Sequence, residues 1–415
     1  MYKEKEHVGS KKVHLSKSFY LLVSSGSLSR AGTTAFSISI LWITLALTNS
    51  ALIAGLADGL FTFPLIFSFY FGAIIDRSER KKDIMVGSTL LRAGAVLLIF
   101  IAVLIHVFVL IILLIYFCVI ITGTMSDIQN SVRSVWTKSF LNEGQYQRGT
   151  SLMNGSISLA EGVGYAISGI LLYLGYMYAV ILLASISLIS LVPVILLKEK
   201  KQETDKTSER SVRKDMFEGI AFIRKNRSLR QLIIIMIFAN FVIAMIGIGF
   251  TFTVEEVFRI PAFYLSLIFI ALSVGIAGGS IPGSLIRGTL GPVIVPLLAF
   301  AGVLFISIGY VNEVLVFAAM VFGIGFSIGI INSVAETVFI RKVPSGMMAR
   351  ISGAVNTFAL SATFLSGTMA GVIIEFFTIR SLFLIIGTAT IFAGIMIIFM
   401  KDFYRERIDH ATNVN

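Results

Sequence analysis

Residues 84–125 read IMVGSTLLRAGAVLLIFIAVLIHVFVLIILLIYFCVIITGTM, and only Arg92 and His106 interrupt the apolar run. A transmembrane barrel strand would be short and would alternate apolar with polar side chains. This stretch does neither. In hydrocarbon every backbone N–H and C=O must find a partner within the protein, so a continuous run of this kind has to be helical. One spanning helix takes about 20 residues. The stretch therefore predicts two helices with a tight turn near His106.

The rest of the chain shares that character. Its 415 residues are 56% hydrophobic and 14% charged, with a mean hydropathy of +0.90. A soluble protein carries about 25% charged residues, and these are too few to clothe a soluble core of this size. The composition excludes a cytosolic enzyme, a nucleic-acid binder and a disordered scaffold. It leaves an integral membrane protein whose apolar residues face the lipid bilayer and one another. The opening residues are polar and mixed in charge through Lys17, unlike a signal peptide. Cys118 is the single cysteine and lies inside an apolar run; His7, His14, His106 and His410 lie in polar tails or at a turn. No disulfide, metal site or cofactor is expected from them.

Charges, prolines and polar turns divide the chain into twelve spans: 18–47, 51–75, 83–105, 108–136, 146–173, 177–197, 229–254, 262–286, 291–310, 313–341, 347–375 and 379–400. The expected organisation is an N-terminal tail (1–17), a six-helix half (18–197), a linker (198–228), a second six-helix half (229–400) and a C-terminal tail (401–415). In the linker, Met216, Phe217, Ile220 and Ile223 recur at helical spacing, with Lys214, Glu218, Arg224 and Lys225 on the other side. That pattern suits an amphipathic helix on the membrane surface or a solvated linker helix.

The net charge of +11 has a topological explanation. With the N-terminus inside, 30 of the 34 basic residues fall in inner segments, and outer loops hold only Arg259 and Arg380. This is the positive-inside asymmetry. It predicts a multi-pass plasma-membrane protein with both termini cytoplasmic, and it removes any need for a nucleic-acid partner.

The two halves resemble each other. At an offset of 202 residues, Asn130-Ser131-Val132 falls on Asn332-Ser333-Val334, Gly123 on Gly325, Arg148 on Arg350, Asn154 on Asn356 and Gly169 on Gly371. The segment Gly72 to Asp76 matches Gly283 to Arg287 at a slightly different offset. Six spans repeated in the same orientation are a parallel duplication, an arrangement known in two-half transporters.

Between spans two and three, Gly72-Ala-Ile-Ile-Asp76-Arg77-Ser-Glu79-Arg80-Lys81-Lys82 resembles the loop signature G-x-x-x-D-R-x-G-R-R of the major facilitator superfamily, with Glu79 replacing the second glycine. Gly72 permits close helix packing. Asp76 can sit at a helix N-terminus of the other half, and Arg77, Arg80 and Lys81 can reach acids and lipid phosphates. Together they form an expected conformational latch. Three further stretches resemble macrolide-efflux-like and enterobactin-exporter-like members: Gln147 to Asn154, Glu218 to Asn226, and Val343 to Arg350. The resemblance implies an all-α fold of twelve helices and export of a solute coupled to protons. Antiporters of the superfamily often carry G-x-x-x-G-P-x-x-G-G in span five. Here Gly164 and Gly169 match, whereas Tyr165 stands for the proline and Ser168 for a glycine.

Ionisable groups inside a bundle cost about 2.5–3.5 kcal/mol each, so they are functional candidates by default. Arg30 lies roughly 18 Å into span one at 1.5 Å per residue, and Glu161 lies equally deep in span five. Glu161 is the expected proton or cation site and Arg30 a substrate-facing group; the competing expectation is a structural Arg–Glu pair. Asp58 is an outer gate or a cavity-lining group. Arg92, Asp127 and Arg133 are expected to join the inner latch with Arg77. Asn130 and Asn332 are expected at the interface between halves, with substrate contact as the other option. The sequence shows no His pair, nucleophile motif or P-loop, which argues against an enzyme and against ATP-driven pumping. The expected function is secondary export of an amphipathic or cationic organic solute by a monomer using protons. An uptake or metabolite carrier, a lipid translocator and a non-transporting receptor are the alternatives.

Overall fold

The computed structural model describes residues 15–104, 108–141, 145–198, 220–343 and 348–408. Among them the regular elements are helices, apart from one antiparallel bridge between Thr289 and Arg407. Span one is Lys17–Thr48, and Ser16 caps it by accepting from the Phe19 N–H at 3.2 Å. Asn49 then turns the chain at φ 51°, a left-handed conformation that asparagine tolerates. Ser50 caps the next helix in the same way, through the Ile53 N–H at 3.3 Å. Span two has three pieces: Ala51–Thr62, a 3-10 stretch Phe63–Phe67, and Ser68–Arg77. Pro64 explains the break, because it lacks an N–H and its ring crowds the preceding turn.

Spans three to five are Lys81–Leu104, Phe108–Phe140 and Tyr146–Leu174, and span six is Tyr176–Ile189 followed by Leu191–Leu196. Span seven is Arg227–Phe252, capped by Asn226 and continued by a π-turn at Thr253–Phe258. Spans eight to twelve are Phe263–Gly283, Leu290–Ile308, Val314–Lys342, Met348–Phe376 and Ile379–Phe399. Nine helices among the described residues are long and apolar enough to cross a membrane. The expected all-α membrane architecture is the one the chain adopts.

Of the linker, residues 199–219, with Lys214, Met216, Phe217 and Glu218, lie outside the described residues. Residues 220–225 are helical. There Ile223 is buried and Ile220 half-buried against a core that includes Leu229, Leu232 and Val338. The described end of the amphipathic pattern packs on the protein itself.

Helix pairing repeats. Span one packs on five, two on four, three on four and three on six; seven packs on eleven, eight on ten, nine on ten and nine on twelve. Each pair recurs six spans later, as a parallel duplication requires. Between the halves, span two packs on eleven and five on eight, with a lighter contact of one on seven. Glycines let these backbones approach. A Cβ on Gly55 would stand 2.7 Å from the Gly367 carbonyl oxygen, and one on Gly59 would stand 2.9 Å from Thr368 Oγ1.

The hydrophobic core divides by depth. Near the turns joining spans one to two and seven to eight, one cluster draws on both halves, with Leu41, Trp42 and Leu45 beside Met245, Ile246 and Phe250. At the opposite, basic face there are two clusters. One holds Phe19, Leu22 and Trp136, the other Leu229, Val338 and Phe403. Among the described residues no cluster joins the halves there. Among the described residues, apolar packing therefore joins the halves at one face, the sealed one, and stays within each half at the basic one.

Candidate functional site

Polar side chains gather at mid-depth in the first half, on spans one, three, four and five. Span five can lie close to span one because Gly164 is small: a Cβ there would stand 2.7 Å from the Ala31 carbonyl oxygen. One turn below, Glu161 meets Arg30. Arg30 Nε donates to Glu161 Oε1 at 2.7 Å, and Nη2 donates to the same oxygen. The two side chains are 41% and 31% exposed. The pair therefore borders open space instead of being locked in packing.

Behind it lies a buried network. Arg92 Nη1 donates to Ser29 Oγ at 3.1 Å and to Thr33 Oγ1 at 3.0 Å. Ser29 donates to Gln129 Oε1 at 2.9 Å, and Gln129 Nε2 donates to Thr89 Oγ1 at 3.0 Å. Ser25 Oγ donates to the Ser190 carbonyl at 3.0 Å. Arg92 is 1% exposed, and its Nε and Nη2 have no hydrogen-bond partner among the described residues. Arg133, 6% exposed, lies against Gly26 and donates from Nη1 to Asn130 Oδ1 at 2.8 Å, and its Nε and Nη2 likewise have no partner among the described residues. Among the described residues, Glu161 is the one carboxylate bonded to any of these three guanidinium groups. The region carries an excess of positive charge. Charge alone pointed to Arg30, Arg92 and Glu161. The network around them was carried by hydroxyls four residues apart, Ser25, Ser29 and Thr33, and by Gln129, which a search for ionisable groups passes over.

The remaining candidates are dispersed. Asp127 accepts from Ser68 Oγ at 2.8 Å, tying span four to span two, and its other oxygen has no partner among the described residues. Asp58 stands at the seam between halves, where a Cβ on Gly367 would lie 2.9 Å from its Oδ2. Asn130 is exposed and bonded within its own helix to Arg133. Asn332 is exposed and borders an apolar pocket of the second half.

Among the described side chains, the latch lysines bond within their own half. Lys81 Nζ donates to the Ser78 carbonyl at 2.6 Å, and Lys82 Nζ to those of Ile195 and Leu197 at 2.7 and 3.2 Å. Arg80 is exposed. Among the described residues no atom would lie within 4 Å of a Cβ on Gly72, so they show none of the close packing expected of this glycine. The side chains of Asp76 and Arg77 lie outside the described residues. The hydrogen bonds of Arg92, Asp127 and Arg133 described above stay within the first half.

The departures from the antiporter motif acquire a structural role. Tyr165 stacks on Phe269 of span eight, with ring centroids 4.9 Å apart and planes 10° apart. One turn on, Ser168 Oγ lies 3.2 Å from Ser266 Oγ. Both contacts cross between the halves on the sealed side. At that face Glu375 of span eleven accepts from Ser50 Oγ at 3.1 Å and from the Leu52 N–H at 3.3 Å, so a carboxylate of one half caps a helix of the other.

Comparison with known proteins agrees with this architecture. A model of the Major Facilitator Superfamily matches residues 22–367. The uncharacterized MFS-type transporter YkuC of Bacillus subtilis (strain 168) is 27% identical over 334 residues, covering 74% of each chain. The nucleoside transporter NupG superimposes with a TM-score of 0.70 at 12% identity, over 93% of this chain and 99% of its own. A POT family transporter in complex with a thioalcohol-conjugated peptide gives a TM-score of 0.65 at 16% identity, over 93% and 95%. At these identities the two structures establish the fold alone.

Proposed function

Because the chain belongs to the major facilitator superfamily and is a membrane transporter, not an enzyme, we propose that it exports an amphipathic organic solute in exchange for protons by alternating access. The basic face is taken as cytoplasmic, following the positive-inside asymmetry. The sealed, outer-closed arrangement is then the state that loads solute from inside. The observation that carries the reading is the half-exposed Arg30–Glu161 pair at mid-depth. A proton arriving on Glu161 cancels the charge that holds Arg30. Arg30 is then released to another partner, which gives protonation a mechanical consequence. The arginine excess disfavours a cationic head near this pair, so of the two expected solute classes the amphipathic one fits better. Export follows from resemblance to the efflux branch.

The test is reconstitution into liposomes with an imposed pH gradient and a panel of amphipathic compounds. Wild-type flux should follow the gradient. Glu161→Gln should keep solute binding and lose the response to the gradient. Gradient-driven flux in Glu161→Gln would overturn the assignment of the proton site.

A further inference from the structure

The duplication allows the two halves to be compared position by position. Spans one and seven begin at Lys17 and Arg227, an offset of 210 residues. Spans three and nine begin at Lys81 and Leu290, an offset of 209. Spans four and ten keep the offset of 202 that aligns Asn130 with Asn332. At these offsets the buried polar network of the first half falls on one feature of the second. Ser25, Ser29 and Thr33 correspond to Ile235, Ala239 and Ile243. Thr89 and Arg92 correspond to Leu298 and Ala301, and Gln129 to Ile331. All six counterparts line the same pocket, a small apolar space of about 50 Å³ between spans seven, nine, ten and twelve. The place that Arg92 fills in one half is empty in the other.

Span nine packs closely on twelve and on ten, whereas seven meets both ten and twelve more lightly. Asn332, which borders the pocket, is exposed. Sites that hold a whole drug-sized solute run to about 300–1,000 Å³, so this pocket has room for a small apolar group of one.

We propose that this pocket is the subsite for the apolar moiety of the transported solute, with Asn332 at its mouth, and that the equivalent place in the first half is closed by Arg92 and its partners. The proposal rests on the transport reading above and assigns the solute's two ends to different halves. Recognition is then asymmetric although the fold is repeated.

The experiment uses the full chain with Cys118→Ser and Ala239→Cys, probed with methyl methanethiosulfonate, a small apolar thiol reagent, with labelling read by mass spectrometry. Rapid labelling is expected, as is a fall of about tenfold or more in labelling rate when Ala301→Phe fills the space. Ala393→Phe serves as a second filling variant should Ala301→Phe fold poorly. In liposomes, filling should raise KM roughly tenfold or more for the compounds that wild type moves, with kcat little changed. Labelling that is slow, or indifferent to both filling variants, overturns the pocket. Rapid labelling with an unchanged KM overturns the solute assignment and points to a lipid chain as occupant. Absence of flux in wild type across the panel is instead a failure of the transport reading, and the labelling arm still decides whether the pocket exists.

Discussion

Glu375 reaches from span eleven to the first turn of span two, where Ser50 Oγ and the Leu52 N–H donate to its Oε2 at 3.1 and 3.3 Å. A carboxylate at a helix N-terminus gains about 0.3–1 kcal/mol from the helix dipole. The two hydrogen bonds are long and exposed, so they add little beyond that. Since the partners sit in opposite halves, the energy belongs to the equilibrium between closed and open at the sealed face. Glu375→Ala should therefore move that equilibrium toward opening by about 1 kcal/mol, roughly a fivefold change in population. Spin labels at Asn49→Cys and Phe377→Cys, in a Cys118→Ser background, would report the change by pulsed dipolar spectroscopy. The short-distance population should shrink in Glu375→Ala and, to a smaller extent, in Ser50→Ala. Identical distance distributions in wild type and both variants would refute the reasoning, because the contact would then contribute nothing to closure.

Other substitutions test neighbouring parts of the structure. Gly55→Leu puts atoms where the Gly367 carbonyl stands, since a Cβ alone would approach it to 2.7 Å; the same labels should show the sealed face held apart and transport abolished. Tyr165→Ala removes the stack on Phe269, worth about 0.5–1.5 kcal/mol, and should open that face as Glu375→Ala does, while Tyr165→Phe should leave the distance distribution unchanged. Arg92→Met exchanges a buried guanidinium with two unpartnered nitrogens for an apolar chain of similar length. Removing a buried charge that has no carboxylate partner relieves its desolvation penalty, so the melting temperature in detergent should hold or rise; a marked fall would show that the network depends on the charge.

The helices were legible because hydrocarbon permits no alternative for unbroken apolar runs, with ends at charges, prolines and polar turns; the structure adds that Ser16, Ser50, Asn226 and Thr378 each cap a helix. The duplication was legible through polar matches such as Asn130 with Asn332. The pairing of Arg30 with Glu161 was open to sequence reading as one of two alternatives, since two opposite charges at one depth must either pair or serve solvent. Other features were hidden for physical reasons. Which face is closed depends on tertiary packing, and Glu375 looked like an ordinary polar end to a span. The pocket behind Asn332 has no marker of its own, because a void is made by residues that are merely small or apolar, such as Ala239 and Ala301. It became visible only against the polar residues that occupy its counterpart.

The break at Phe63–Phe67 gives span two the mechanics of a jointed lever. Its outer arm is clamped to span eleven through Gly55, Gly59 and the Glu375 cap, while its inner arm, Ser68–Arg77, leads into the basic loop and is tied to span four through Ser68 and Asp127. With the helical hydrogen-bond ladder interrupted at Pro64, a substitution that loosens the outer clamp is expected to leave the Ser68–Asp127 tie of the inner arm in place. The dwell times of the two states should then be separately adjustable along a single helix.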